Sequence, residues 1–355
     1  MPTRPSAAVN RVRAAAVRLP APGALDTAVA TLGFVQYDPI RRPARAQDLI
    51  LHQRVRGYRA GDLDRHYPAL DLEEDYFYTY GALPSAHSEL LHPRGGGGPP
   101  PAELTAAVLS LLRERGQLAP QEAAATLGRA QETNDWGGMS SATTRALESL
   151  HYHGLARVSG RLNGRKVYAP RTPVTQPLEP GERLGELVLL MVRLLAPVSA
   201  AGLRRALTQL RNNGGALPGH DRVVADLLGR GALREDVVEG VAYLAPVGSR
   251  TGEGSRRVRF LAPFDPVVWD RGRFEHLWGW PYRFEAYTPP AKRRFGYYAL
   301  PLFWSDDAVG WVNLTVKSGK LDVAAGYAGA APSSRVFRAA FDAEVNRMEV
   351  MLGLS

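Results

Sequence analysis

The chain has 355 residues, enough for about two or three domains. It carries 44 Lys and Arg against 35 Asp and Glu, a net charge of +9, and only Lys166, Lys292, Lys317 and Lys320 are lysines. An arginine-dominated surface favours a polyanionic partner, because guanidinium forks bind phosphate bidentately. The absence of cysteine excludes disulfides, thiolate metal sites and cysteine nucleophiles. No stretch has the length and apolarity of a signal peptide or a membrane span, so a cytoplasmic, nucleoid-associated protein is expected.

In chain order, Val9–Leu19 is predicted as a helix stopped by Pro20 and Pro22, and Asp26 caps a second helix ending at Gly33. The stretch Gly33-Phe34-Val35-Gln36-Tyr37-Asp38-Pro39, followed by Arg41, Arg42 and Arg45, then packs an amide, a carboxylate and three arginines into about a dozen positions. If it is extended, Gln36 and Asp38 point the same way and share one polar pocket able to hold a water. Pro39 biases Asp38 away from helix and places the pair at the end of its element. On local pattern alone, a turn carrying a solvated carboxylate is the favoured reading.

Ala46–Arg54 reads as a helix and Asp62-Leu63-Asp64 opens a short element. The run Glu73-Glu74-Asp75-Tyr76-Phe77-Tyr78-Thr79-Tyr80-Gly81 reads as solvated acids or a helix start beside an aromatic stripe. The stripe serves either as core or as a platform for stacking bases. Residues 95–101, Gly95-Gly96-Gly97-Gly98-Pro99-Pro100-Pro101, form a linker by composition and lack the Gly-Lys-Ser/Thr of a phosphate loop. Beyond it, Leu104, Val108, Leu111 and Leu112 share a helical face, a helix spans about Gln121–Leu127, and Ser140 or Ser141 caps another. Two alternating runs then meet at Asn163-Gly164, a strong hairpin signal. Helix, helix, helix, hairpin is the winged-helix order, and Arg145, Arg157, Arg161, Arg165 and Lys166 decorate the parts that would meet phosphates. The same order returns over 173–248, with a hairpin at Glu239-Gly240. From Arg256 short aromatic-rich strands are predicted: Arg256–Leu261, Tyr297–Leu300, Val309–Leu314 and Leu321–Val323. They suggest a small antiparallel barrel, with Lys292-Arg293-Arg294 beside Tyr297-Tyr298 as a basic patch. Phe337, Phe341, Val345, Met348 and Leu352 lie on one face of a C-terminal helix.

Two regions resemble the YcaQ- and AlkZ-like winged-helix DNA glycosylases, which excise alkylated bases and unhook interstrand crosslinks. The first is Val35-Gln36-Tyr37-Asp38-Pro39-Ile40 with Pro43-Ala44-Arg45-Ala46-Gln47-Asp48-Leu49. The second runs from Pro263-Phe264-Asp265 through Trp269-Asp270-Arg271 and Tyr282–Tyr287 to Lys292–Pro301. The resemblance implies an α+β chain of three tandem winged helices (1–94, 102–172 and 173–248, with the linker at 95–101), a β-rich, barrel-like domain over 249–332 and a helix over 333–355. It also implies that Gln36-Tyr37-Asp38 is a Gln-x-Asp catalytic motif. The chain departs from the family in having Tyr78-Thr79-Tyr80 where a Trp-x-His element is common, and Pro39 where Ser or Thr is usual.

On this reading Asp38 orients or deprotonates a water and Gln36 holds it in line. No lysine lies near the motif in sequence, which points away from Schiff-base lyase chemistry and toward a monofunctional glycosylase. No cofactor or metal is implied; His151-Tyr152-His153 lacks ligand spacing. Arg41, Arg42, Arg45, Arg271, Lys292 and Arg293 are the candidate DNA contacts, the partner is double-stranded DNA with alkylated or crosslinked purines, and a monomer is expected. A non-enzymatic winged-helix DNA-binding regulator is the competing reading.

Overall fold

A computed structural model of the chain describes residues 5–17, 19, 22–94, 103–128, 130–133, 139–162, 164–172, 174, 177–214, 219–249 and 256–354. The predicted linker at 95–101 and Asn163 of the predicted hairpin turn lie outside them. The architecture mixes helices with small sheets whose ladders are antiparallel. It divides into two units, Met1–Leu63 with Val188–Ala206 and Asp221–Ser355, and Asp64–Leu187 with Leu207–His220. Among the described residues no helix is long and apolar enough to cross a membrane.

In the first unit, Ser6 caps the helix Ala7–Ala16 by accepting from the Val9 amide at 3.2 Å. Its buried residues Val9, Val12 and Ala16 recur at helical spacing and join Val268, Phe274, Leu277, Trp278, Trp280, Tyr282 and Phe303 in one core. Phe274 is the centre of that core, with ring centroids 4.8 Å from Trp278, 5.0 Å from Trp280 and 5.6 Å from Tyr282. Both indoles reach backbone acceptors at 2.8 Å, Trp278 the carbonyl of Asp306 and Trp280 that of Ala308, so neither N–H is left unpaired.

The strands Val258–Phe260, Leu300–Trp304, Asp307–Lys317 and Lys320–Tyr327 pair in chain order as a meander. Ser318 and Gly319 join the last two with φ of 49° and 75°, the left-handed pair that a tight hairpin turn requires. The helix Arg335–Leu352 covers this sheet, with Phe341 5.4 Å from Phe260 and Phe337 5.6 Å from Trp304 between ring centroids. Two expectations change here. Tyr297 and Tyr298 precede the strand instead of opening it, because it begins at Leu300. The region from Arg256, read as strands alone, also holds two helices, Pro266–Trp269 and Arg271–Trp278, capped by Asp265 and Asp270. A strand-dominated reading missed these aspartates as caps. Val198–Ser199, Leu233–Val238 and Val241–Pro246 form a second sheet, with the predicted turn at Glu239-Gly240 in the left-handed region.

In the second unit, the helices Glu103–Arg115, Pro120–Leu127 and Ala142–Tyr152 pack with the hairpin Ala156–Leu162/Arg165–Pro170 around Val108, Leu112, Leu147, Leu150, Val158 and Tyr168. An additional short hairpin, Gln131–Thr133 with Met139–Ser141, precedes the third helix.

The acids at 73–75 are neither solvated nor helical. They belong to the strand Leu72–Tyr76, paired with Tyr80–Pro84, and all three are buried. Asp75 meets Arg94 at 2.7 Å and His92 at 2.8 Å, Glu74 meets Arg161 at 2.6 Å, and Glu73 meets Arg171 at 3.1 Å. Counter-ions from distant segments make the burial possible, which a local pattern cannot reveal. Arg161 is thereby engaged within the unit, and Lys166 lies 4.1 Å over the Tyr80 ring. Phe77 and Tyr78 are core, as the plainer reading of the aromatic stripe had it.

Candidate active site

The signature stretch is fixed by what precedes and follows it. The helix Leu25–Leu32 ends on Gly33 in the left-handed conformation, φ 72°, and turns the chain into the two-residue strand Val35–Gln36. Downstream, the helix Ala46–His52 is buried at every position, so it supports the stretch from below. Gln47, at its start, accepts from the Asp38 backbone N–H at 3.3 Å.

Asp38 lies just beyond the strand and is half-buried. One carboxylate oxygen, Oδ1, accepts from the Ile40 amide at 2.9 Å, the local turn expected of Asp before Pro. Burial pushes the carboxyl above its ordinary value, and the Ile40 amide pulls it back in part. Gln36 is buried, and its Oε1 has no hydrogen-bond partner among the described residues. An enclosed amide acceptor left open is a cost unless something occupies it.

The Asp38 charge is felt by the buried phenol of Tyr298, which it and burial together hold above its ordinary pKa. Tyr298 lines a cleft of about 330 Å³ together with Arg42, Arg293, Tyr297, Asn313, Leu314 and Thr315. Two of the predicted DNA contacts therefore meet. The Arg42 guanidinium lies 5.8 Å and that of Arg293 5.0 Å from the centroid of the Tyr297 ring, although they are some 250 positions apart in sequence. The basic loop is pinned from within: Glu285 is buried and its carboxylate accepts from the amides of Arg294, Phe295 and Gly296 at 3.1, 2.8 and 3.2 Å. Asn313 donates to the Phe295 carbonyl at 2.8 Å.

The remaining candidates fare differently. Arg41 and Lys292 are exposed. Arg45 is tied to Asp48 at 3.0 Å. Arg271 stacks over Tyr282 at 4.6 Å and donates to the carbonyls of Val268 and Pro263, so its guanidinium braces the fold. Sequence reasoning missed Gln47, Tyr298 as a neighbour of Asp38, and Asn313. The pairing of two tyrosines with a basic run was the visible signal for the second; Gln47 and Asn313 gave none. Among the described residues no group of three or more His, Cys, Asp or Glu could hold a metal ion.

The family model for AlkZ-like DNA glycosylases matches residues 29–350, which includes Gln36, Asp38 and the whole cleft. The chain belongs to that family. As a member it is a hydrolase of N-glycosyl bonds in DNA. In overall fold it is similar to the DNA glycosylase AlkZ of Streptomyces sahachiroi, with a TM-score of 0.62 and 15% identity over 98% of this chain and 96% of that one. The regulator reading, which needs no chemistry at Asp38, gives way to the enzyme.

Proposed function

We propose that this AlkZ-like DNA glycosylase is monofunctional and acts on cationic purines, N7-alkylated above all, with interstrand crosslinks as larger substrates of the same kind. The supporting observation is the half-buried Asp38 carboxylate, held by one oxygen on the Ile40 amide, two residues after the buried, open acceptor of Gln36 and felt by Tyr298 of the arginine-lined cleft. A purine already carrying positive charge leaves without protonation, so the site needs no general acid. It needs a base for water and an anion near C1′, where oxocarbenium charge develops, a demand shared with glycoside hydrolysis. Asp38 supplies both, and Gln36 orients the water.

Arg42 and Arg293, with exposed Arg41 and Lys292, take the DNA backbone as phosphate contacts. Arg45 and Arg271 support this surface from inside. The helix, helix, helix, hairpin order of 103–170, and its recurrence over 180–246, favour winged helices as the DNA-docking modules, with the first of three carrying the motif and a monomer as the working form. Incubation with duplex DNA containing N7-methylguanine or a nitrogen-mustard crosslink, followed by detection of abasic sites, tests the reading. Release by wild type and its loss in Asp38→Asn and Gln36→Ala support it; DNA binding without release in all three sinks it.

A further inference from the structure

Tyr298 is 3% exposed, and its hydroxyl is enclosed without a hydrogen-bond partner among the described residues. Its ring is not loose: it packs edge-on to Phe284, 5.3 Å between centroids, and Phe284 in turn packs on Phe264 at 4.9 Å. A tyrosine used only for packing gains nothing from a buried hydroxyl with no acceptor, since phenylalanine fills the same volume without the desolvation penalty. Here Tyr298 lines the cleft, and its phenol feels the charge of a carboxylate that, among the described residues, has one oxygen engaged. The charged and titratable groups facing it are Asp38, Tyr282 and, across the cleft, Arg42 and Arg293. Burial and the Asp38 charge keep the phenol protonated well beyond neutral pH, so it is a donor there.

We propose that Tyr298 is a positioning residue of the hydrolysis, its hydroxyl donating a hydrogen bond to the water that Asp38 activates. The inference rests on the reading of Gln36 and Asp38 given above. A water has two protons and two lone pairs. Its protons go to the Asp38 carboxylate and the open Gln36 Oε1, and one lone pair accepts from Tyr298. The second lone pair is then left to face C1′. As the C1′–O bond forms, the N-glycosidic bond breaks and its electron pair departs with the base, neutralising the purine cation, while the water proton passes to Asp38. Tyr298 gains and loses no proton in the cycle. Its contribution is direction, because without a third partner the water rotates about the axis set by two acceptors.

The test is single-turnover release of N7-methylguanine from duplex DNA by wild type, Tyr298→Phe, Asp38→Asn and the double variant. Tyr298→Phe is expected to lower the rate at saturating enzyme about two- to tenfold, the range of one hydrogen bond to a neutral acceptor. Half-saturation should stay unchanged, and the acid limb of the pH–rate profile should move to higher pH, since the carboxylate and its water lose a stabilising donor. The double variant should be no slower than Asp38→Asn, because both residues act through one water. A Tyr298→Phe rate and acid limb equal to those of wild type overturn the proposal while leaving the glycosylase reading intact. Wild type that releases no base overturns both. Should Tyr298→Phe not fold, a ring-fluorinated tyrosine at 298 keeps the volume and strengthens the donor; an unchanged rate and profile in that protein also overturn the proposal.

Discussion

Asp38→Asn is the substitution that separates chemistry from architecture. Asparagine keeps the oxygen that accepts from the Ile40 amide at 2.9 Å, so the turn before Pro39 survives. What disappears is the negative charge and the base. A carboxylate about 4 Å from a developing oxocarbenium is worth about 4 kcal/mol at an effective dielectric near 20, or about a thousandfold in rate. Stability should move the other way. The folded-state pKa of Asp38 is raised, so the folded protein binds its proton more tightly than the unfolded chain does, and stability falls as pH rises from 3.8 through that raised value. At pH 7 the wild type therefore carries a destabilising carboxylate that Asp38→Asn removes. The variant should melt at or above the wild-type temperature, and the gap should close on acidification. Base release under single-turnover conditions and thermal melts from pH 4 to 8 check the two halves. A variant that releases base within about threefold of wild type refutes the catalytic assignment; one that melts well below wild type at pH 7 refutes the electrostatic account.

Arg42→Ala and Arg293→Ala should each weaken binding to lesion and plain DNA alike and reduce the slope of log affinity against log salt by about one, measured by fluorescence anisotropy; unchanged slopes would place the backbone elsewhere. Arg54 and Asp265 form a buried two-bond ion pair at 2.7 and 2.9 Å. Asp265→Ala leaves the guanidinium uncompensated and also strips the cap of the helix Pro266–Trp269, so a loss of about 3–5 kcal/mol is expected by urea unfolding. His151 is buried, bonded to the Glu74 carbonyl at 2.7 Å, and burial pushes its pKa down from 6.5 to about 4. The unfolded chain takes up that proton first, so about 3 kcal/mol of stability is lost as pH falls from 6.5 to 4; His151→Gln should flatten that part of the pH–stability curve. Gly296 sits at φ 123°, and an added Cβ would lie 2.2 Å from Asn313 Oδ1. Gly296→Ala should cost about 1–3 kcal/mol through backbone strain and displace a residue lining the cleft, weakening DNA binding as well as lowering the melting temperature.

Helices with a clear apolar face and hairpins with a glycine turn were legible in the sequence because their determinants are local. Leu104, Val108, Leu111 and Leu112 specify one helix, and Glu239-Gly240 a hairpin, whatever surrounds them. The failures share a different cause. Glu73, Glu74 and Asp75 look like surface because the groups that neutralise them come from far along the chain; their partners are Arg171, Arg161 and Arg94. Asp265 and Asp270 look like loop acids until Arg54, Ser199 and Arg205 are brought to them. A charge is read correctly from sequence only when its counter-charge is near in sequence. The arginines proposed as DNA contacts follow no such rule: Arg45 has Asp48 three residues on, and Arg271 and Arg293 donate to the nearby carbonyls of Val268, Pro263 and Thr288.

Gln36-Tyr37-Asp38 is uninformative by itself. A carboxylate before proline forms its own turn with the Ile40 amide, and that bond would exist on any surface loop. Three features that a loop would lack support the proposed reaction centre: half-burial that strains the charge and, among the described residues, a buried amide oxygen with no partner and a buried phenol with no partner at position 298. Each raises the energy of the empty site. Stability does not account for these groups, since Asn, Leu and Phe at the three positions would each relieve a cost. On the proposed mechanism the cost is relieved in use, when a water and a sugar bearing positive charge enter, and the free energy released at that moment falls on the transition state.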